Sequence, residues 1–211
     1  KEKLEETKTE CNDQTLVLPM DVSNEVDVKK CFEMIKKNFS RIDLLFNNAG
    51  TFLSSKTIDE INFNEWKEVV EVNLNGMFLF SKYAFSLMKD QSPKGGRIIN
   101  NGSVSAYAPR PGSIAYTATK HAVTGITKSL ALDGRPFSIV CSQLDIGNAD
   151  TPMTEGIKKG IIQADGSIKT EPTFNTEHVA DAVLHLVKLP LDTNILNMTI
   201  MASNMPFIGR G

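Results

Sequence analysis

The sequence predicts a single α/β domain built on a parallel sheet with crossover helices. Apolar runs of strand length alternate with longer segments whose apolar residues recur at helical spacing. No linker, repeat or low-complexity block divides the 211 residues, a length that suits one domain with a substantial core. Apolar residues make up 41% and charged residues 23%, with a net charge of −2, ordinary values for a globular chain.

The elements follow in order. Lys1 opens a charged, helix-like stretch that runs to Lys8. Thr15–Met20 is an apolar run between polar residues and reads as a strand. Ser23 can cap the next helix, in which Val28, Phe32, Ile35 and Phe39 share a face. Ile42–Phe46 is the next strand and runs into Asn47-Asn-Ala-Gly50. Asn62 and Glu65 form a capping pair. The long helix behind them sets Trp66, Val69, Val70, Met77, Phe80, Ala84 and Leu87 on one side. Pro93–Gly96 breaks that helix, and Arg97–Asn100 begins a buried strand. A loop with Pro109, Pro111 and Gly112 precedes a helix over about 113–133, closed by Gly134 and Pro136. Phe137–Cys141 reads as a strand, Glu177–Lys188 as an amphipathic helix and Ile195–Met201 as the last strand. Residues 151–173, rich in Gly, Lys and Thr, are poorly patterned and read as a mobile substrate lid.

Several function classes are disfavoured. No basic patch argues for nucleic acid, and no apolar run reaches the roughly 18 residues of a membrane span. Cys11, Cys31 and Cys141 have no metal-like spacing, and His121, His178 and His185 do not cluster with them, so no metal site is expected. Asn-x-Ser/Thr sequons start at Asn38, Asn101 and Asn197; no secretion signal accompanies them, and all three are taken as chance matches. A cytoplasmic location is the expectation.

Four positions fit one reaction: Asn73, Ser103, Tyr116 and Lys120. Tyr116 and Lys120 are four apart, so on a helix they share a face. An ammonium beside a phenol favours the phenolate. At about 4 Å and an effective dielectric near 20 the attraction is roughly 4 kcal/mol. That is enough to bring a tyrosine from about 10 towards 7 before any desolvation. Such a group can exchange a proton with an alcohol oxygen at working pH. Ser103, thirteen residues upstream, can hold the same oxygen; Ser105 competes with it. Asn73 lies on an apolar stripe and must find partners or cost about 1–3 kcal/mol. The site reads as one for carbonyl/alcohol redox chemistry.

With those residues in place, the chain resembles the short-chain dehydrogenase/reductase family from about Thr15 to its C-terminus. The Ser–Tyr interval of thirteen, Tyr116-x-x-x-Lys120, Asn47-Asn-Ala-Gly50 and Asp21-Val22 occur together and in order. The resemblance implies a doubly wound sheet of Rossmann type and a nicotinamide dinucleotide, NAD or NADP. It assigns Tyr116 as general acid/base, with Lys120 lowering its pKa and holding the nicotinamide ribose. Ser103 would bind the substrate oxygen, and Asn73 would anchor a proton-relay water. Asp21 and Val22 would meet the adenine, although Asp21 also suits an ordinary helix start. Asn47, Ala49 and Gly50 would let the cofactor approach the backbone at a strand's carboxyl end; the same segment also serves as a turn and a brace. Thr151 would bond the carboxamide.

Two departures follow from the same likeness. The family's glycine-rich phosphate turn, first strand, following helix and second strand would precede Lys1. Without them the sheet would have a central gap, and these residues alone would fold poorly and bind little dinucleotide. The second departure is Gln143-Leu-Asp-Ile-Gly147-Asn-Ala, where the family's Pro-Gly is replaced and Asp145 adds a charge. That pattern resembles a plant and bacterial branch. The expected activity is hydride transfer between nicotinamide and a secondary alcohol or ketone, in a homodimer or homotetramer pairing through the helices around 62–90 and 113–133. A truncated, non-catalytic homologue acting as a regulatory subunit is the alternative.

Overall fold

The computed structural model describes residues 2–11 and 14–208. Its helices are α1 (Glu2–Thr9), α2 (Glu25–Phe39), α3 (Phe63–Val70), α4 (Met77–Asp90), α5 (Ile114–Asp133), α6 (Glu155–Lys159) and α7 (Glu177–Lys188). The strands are β1 (Leu44–Asn47), β2 (Gly96–Asn101), β3 (Ile139–Gly147), a short hairpin of β4 (Ile161–Ile162) and β5 (Ile168–Lys169), and β6 (Asn197–Met201). β1, β2, β3 and β6 form one parallel sheet in that order.

Helices cover both faces, and adjacent residues of β2 show it. Ile98 packs with Val28 and Phe32 of α2 and Leu79 and Met88 of α4. Ile99, pointing the other way, packs with Leu144 and with Leu186 and Val183 of α7. Both isoleucines are fully buried, so truncating either to alanine costs about 2–5 kcal/mol. This two-sided burial is why the central strands read as continuous apolar runs.

The structure differs from the sequence reading at five places. Thr15–Met20 joins no sheet; an apolar run becomes a strand only where a neighbour supplies ladder partners, and among the described residues it has none. Asn24, not Ser23, caps α2, its Oδ1 accepting from Val26 and Asp27 N–H. The helix behind Asn62 is interrupted by a π-helical segment, Glu71–Gly76, which contains Asn73. β3 runs on past Cys141 to Gly147 through buried Ser142, Gln143 and Asp145. The lid region carries α6 and the β4–β5 hairpin in place of patternless loop. No helix among the described residues is long and apolar enough to cross a membrane.

Candidate active site

The proposed tetrad gathers where β2 and β3 end and α5 begins. Two residues beyond β2, Ser103 caps the turn Val104–Ala106, its Oγ accepting from Ser105 N–H at 3.1 Å. Ser103, rather than Ser105, is the serine whose hydroxyl acts on the Tyr116 phenol and draws its pKa down. One turn along α5, Lys120 donates from Nζ to the Asn101 carbonyl at 2.7 Å and lies 5.5 Å from the Tyr116 ring centroid. Helical spacing and one strand end thus bring three functional groups together.

Asn73 is a brace at the same place. Its Oδ1 accepts from Thr51 N–H at 2.7 Å, and its Nδ2 donates to Thr51 O at 2.8 Å and to Thr119 Oγ1 at 3.3 Å. The π-helical turn swings this amide out of the regular ladder and ties the segment after β1 to the residue next to Lys120. Both amide protons are taken; one lone pair of Oδ1 remains.

Electrostatics here run against the expectation of an acidic phenol. Burial pushes Tyr116 above its ordinary value; the Ser103 hydroxyl draws it down and the Asp145 carboxylate pushes it further up. Burial also pushes Lys120 down to about 8, with Asp145 opposing. Desolvation therefore outweighs the phenol–ammonium attraction argued from spacing alone.

Sequence reasoning missed what surrounds Asp145. This fully buried carboxylate accepts from Ser103 N–H at 2.9 Å, Gln143 Nε2 at 2.7 Å and the Tyr107 hydroxyl at 2.9 Å. A Cβ on Gly102 would lie 2.0 Å from its Oδ1, so only glycine fits there. Asp145 itself was visible as a departure, but no spacing links Tyr107 or Gln143 to it.

The residues expected to meet the cofactor fall along the carboxyl end of β1. Asn47 is buried and donates to Ser81 Oγ at 3.0 Å and Asn100 Oδ1 at 2.9 Å, so its side chain braces the sheet. Ala49 and Gly50 are exposed and leave their backbone open to approach. Val22 packs against Gly76, where a Cβ would meet Val22 Cγ2 at 3.0 Å. Val22, Asn47, Ala49, Gly76 and Phe80 line a hollow of about 80 Å³. Asp21 bonds Ser23, whose hydroxyl and N–H hold its carboxyl below the usual range. Thr151 opens the 151–173 segment, its N–H donating to Thr154 Oγ1 at 3.0 Å. An apolar hollow beside open backbone and a lysine at the tyrosine fits part of a dinucleotide.

The 151–173 segment is tied to the loop between Ser103 and Tyr116. Arg110 grips Glu171 with both terminal nitrogens at 2.6 Å, and Asn148 Nδ2 and Gln163 Nε2 donate to the same carboxylate at 2.9 and 3.0 Å.

Comparison with known proteins bears on the family and the fold. The family model for short chain dehydrogenases matches residues 1–161. A 3beta-hydroxysteroid dehydrogenase of Mediterraneibacter gnavus is 38% identical over 135 residues, 64% of this chain and 48% of that protein. A trans-4-hydroxycyclohexanecarboxylate dehydrogenase of Sinomonas cyclohexanicum is 32% identical over 174 residues, 82% of this chain and 64% of that one. The solved structure described as ElxO with NADP bound superposes with a TM-score of 0.73 at 26% identity, covering 86% of this chain and 75% of that one. The chain thus spans about half to two-thirds of the length of those two curated relatives. On the family match and the shared fold, the chain belongs to the short-chain dehydrogenase family.

Proposed function

We propose that the protein is an NAD(P)-dependent oxidoreductase acting on a secondary alcohol or its ketone, with Tyr116 as general acid/base. The observation that carries this is the meeting of buried Ser103 and Lys120 with half-buried Tyr116 at one point. The cofactor would supply the hydride acceptor or donor. Ser103 Oγ hydrogen-bonds the substrate oxygen and orients it towards Tyr116. In oxidation the phenolate takes the alcohol proton as the carbon-bound hydrogen leaves as hydride; in reduction the phenol returns it. Lys120 supplies positive charge beside the ring, and the remaining lone pair on Asn73 Oδ1 holds the relay water.

Val22, Asn47, Ala49 and Gly50 form the adenine side of the cofactor site, with Asp21 at its rim and Thr151 at the carboxamide. Both curated relatives are named for hydroxyls on saturated rings, which supports cyclic secondary alcohols as the first substrate class, admitted under the 151–173 lid. Phe63 and Phe78 of α3 and α4 and Leu132 of α5 are more than half exposed, which supports pairing of copies through these helices.

A screen of cyclic, acyl-thioester and polyol substrates against NAD and NADP, followed by cofactor absorbance, tests the reading. Turnover with a ring alcohol that falls about 10²–10⁴-fold in Tyr116→Phe, with cofactor binding kept, is the expected result. Equal turnover in that variant overturns it.

A further inference from the structure

Asp145 is a buried charge without a formal partner. It is 0% exposed, and no ion pair includes it among the described residues; its three donors are an amide N–H, a carboxamide and a phenol. Buried carboxylates are ordinarily paired with a cation. The arrangement has a second cost. Gln143 turns its NH₂ to Asp145 and to Thr124, and so leaves its own Oε1 buried with no partner. An orphaned acceptor costs about 1–3 kcal/mol. A flipped amide would place that oxygen against the carboxylate, so the negative charge dictates the orientation. A fold that retains both costs at one point is using the charge.

The carboxylate lies against the strip Asn101–Gly102–Ser103. It takes Ser103 N–H at 2.9 Å and presses on the Cα of Gly102, while Lys120 Nζ holds the Asn101 carbonyl at 2.7 Å. Three consecutive residues therefore separate the buried anion from the buried ammonium. The ionisable groups around this pair are Tyr116 on α5 and Tyr107 on the loop; Gln143 and Asn197 face them as neutral groups.

Building on the redox reading above, we propose that Asp145 is a positioning residue: its carboxylate fixes the Ser103 main chain and supplies the negative charge that keeps the buried Lys120 protonated beside Tyr116. Tyr107 completes the device. Its hydroxyl covers the carboxylate from the solvent side and tempers its field.

Lysine titration followed by ¹³Cε NMR tests this without substrate or cofactor, so its outcome is separate from that of the Tyr116→Phe turnover assay. In the native protein one lysine, identified by its loss in Lys120→Met, is expected to titrate near 8. Asp145→Asn keeps an oxygen for Ser103 N–H but removes the charge, and is expected to lower that midpoint by about one unit or more. An unmoved midpoint in a folded Asp145→Asn protein overturns the proposal. Should that variant not hold its fold, Tyr107→Phe carries the test. It leaves the carboxylate and deletes one donor, so the Lys120 midpoint is expected to rise; no change, or a fall, overturns the proposal.

Discussion

Lys120 holds its ammonium 5.5 Å from the centroid of the Tyr116 ring, within a site that burial makes hostile to both charges. Folding pushes the lysine down to about 8, against about 10.4 in an unfolded chain. Between those values the unfolded state binds more protons, so stability rises with pH through that window. Below 8 the full penalty of the buried ammonium is present; above about 10.4 it is gone. Urea denaturation of the native protein and Lys120→Met should therefore show native stability climbing relative to the variant from pH 8 to 10. Parallel curves would contradict a buried, titrating Lys120.

Ser103 contributes a hydroxyl to the site and little to the core, since its Oγ accepts from Ser105 N–H within its own turn. Ser103→Ala should lower kcat about 10²–10³-fold, the usual loss when a donor to a reacting oxygen is removed. The denaturation midpoint should move little. A large stability loss with unchanged turnover would reverse the assignment.

Asn47 makes a stability prediction separable from any cofactor role. Its amide feeds Asn100 Oδ1, and Asn100 in turn donates to Thr127 Oγ1 at 3.0 Å, linking β1, β2 and α5. Asn47→Leu strips the buried Asn100 Oδ1 of its donor, at a cost of about 1–3 kcal/mol. For a chain of this size each kcal/mol lowers Tm by about 2–4 °C. Calorimetry showing an unchanged Tm would remove the bracing role.

The proposed lid makes a prediction in acid. Burial pushes Glu171 up, but hydrogen bonds from Arg110, Asn148 and Gln163, with the Arg110 charge, outweigh it and hold the carboxyl at about 2. Its stabilisation is complete above the unfolded value of about 4.3 and is lost as pH falls towards 2. Hydrogen exchange in residues 151–173 should accelerate through that window. Arg110→Met should produce the same opening at neutral pH, with a loss of about 3–5 kcal/mol from removing one partner of a buried ion pair. Protection unchanged in the variant would mean the lid is held elsewhere.

What could be read in advance divides along a physical line. α7 was legible to the residue because its apolar periodicity is a local property. Tyr116 and Lys120 were legible because a four-residue interval fixes their shared face. The second half of β3 was not: Ser142 bonds Asn194 and Asp145 bonds Ser103 and Tyr107, partners far away in sequence that make buried polar residues tolerable. Thr15–Met20 misled for the opposite reason, since its composition suits a strand but pairing depends on a neighbour. The direction of the Tyr116 shift was illegible too, because desolvation depends on the packed surroundings and not on the interval to Lys120.

The central claim is that Tyr116 moves the proton while hydride passes between substrate carbon and nicotinamide. Incubating the protein with a ring alcohol carrying deuterium on the carbinol carbon, together with oxidised cofactor, tests this most directly by NMR at the nicotinamide C4. The account predicts direct transfer of deuterium in the native protein and a loss of transfer of about 10²–10⁴-fold in Tyr116→Phe. Deuterium appearing in solvent, or transfer at the native rate in that variant, would contradict it.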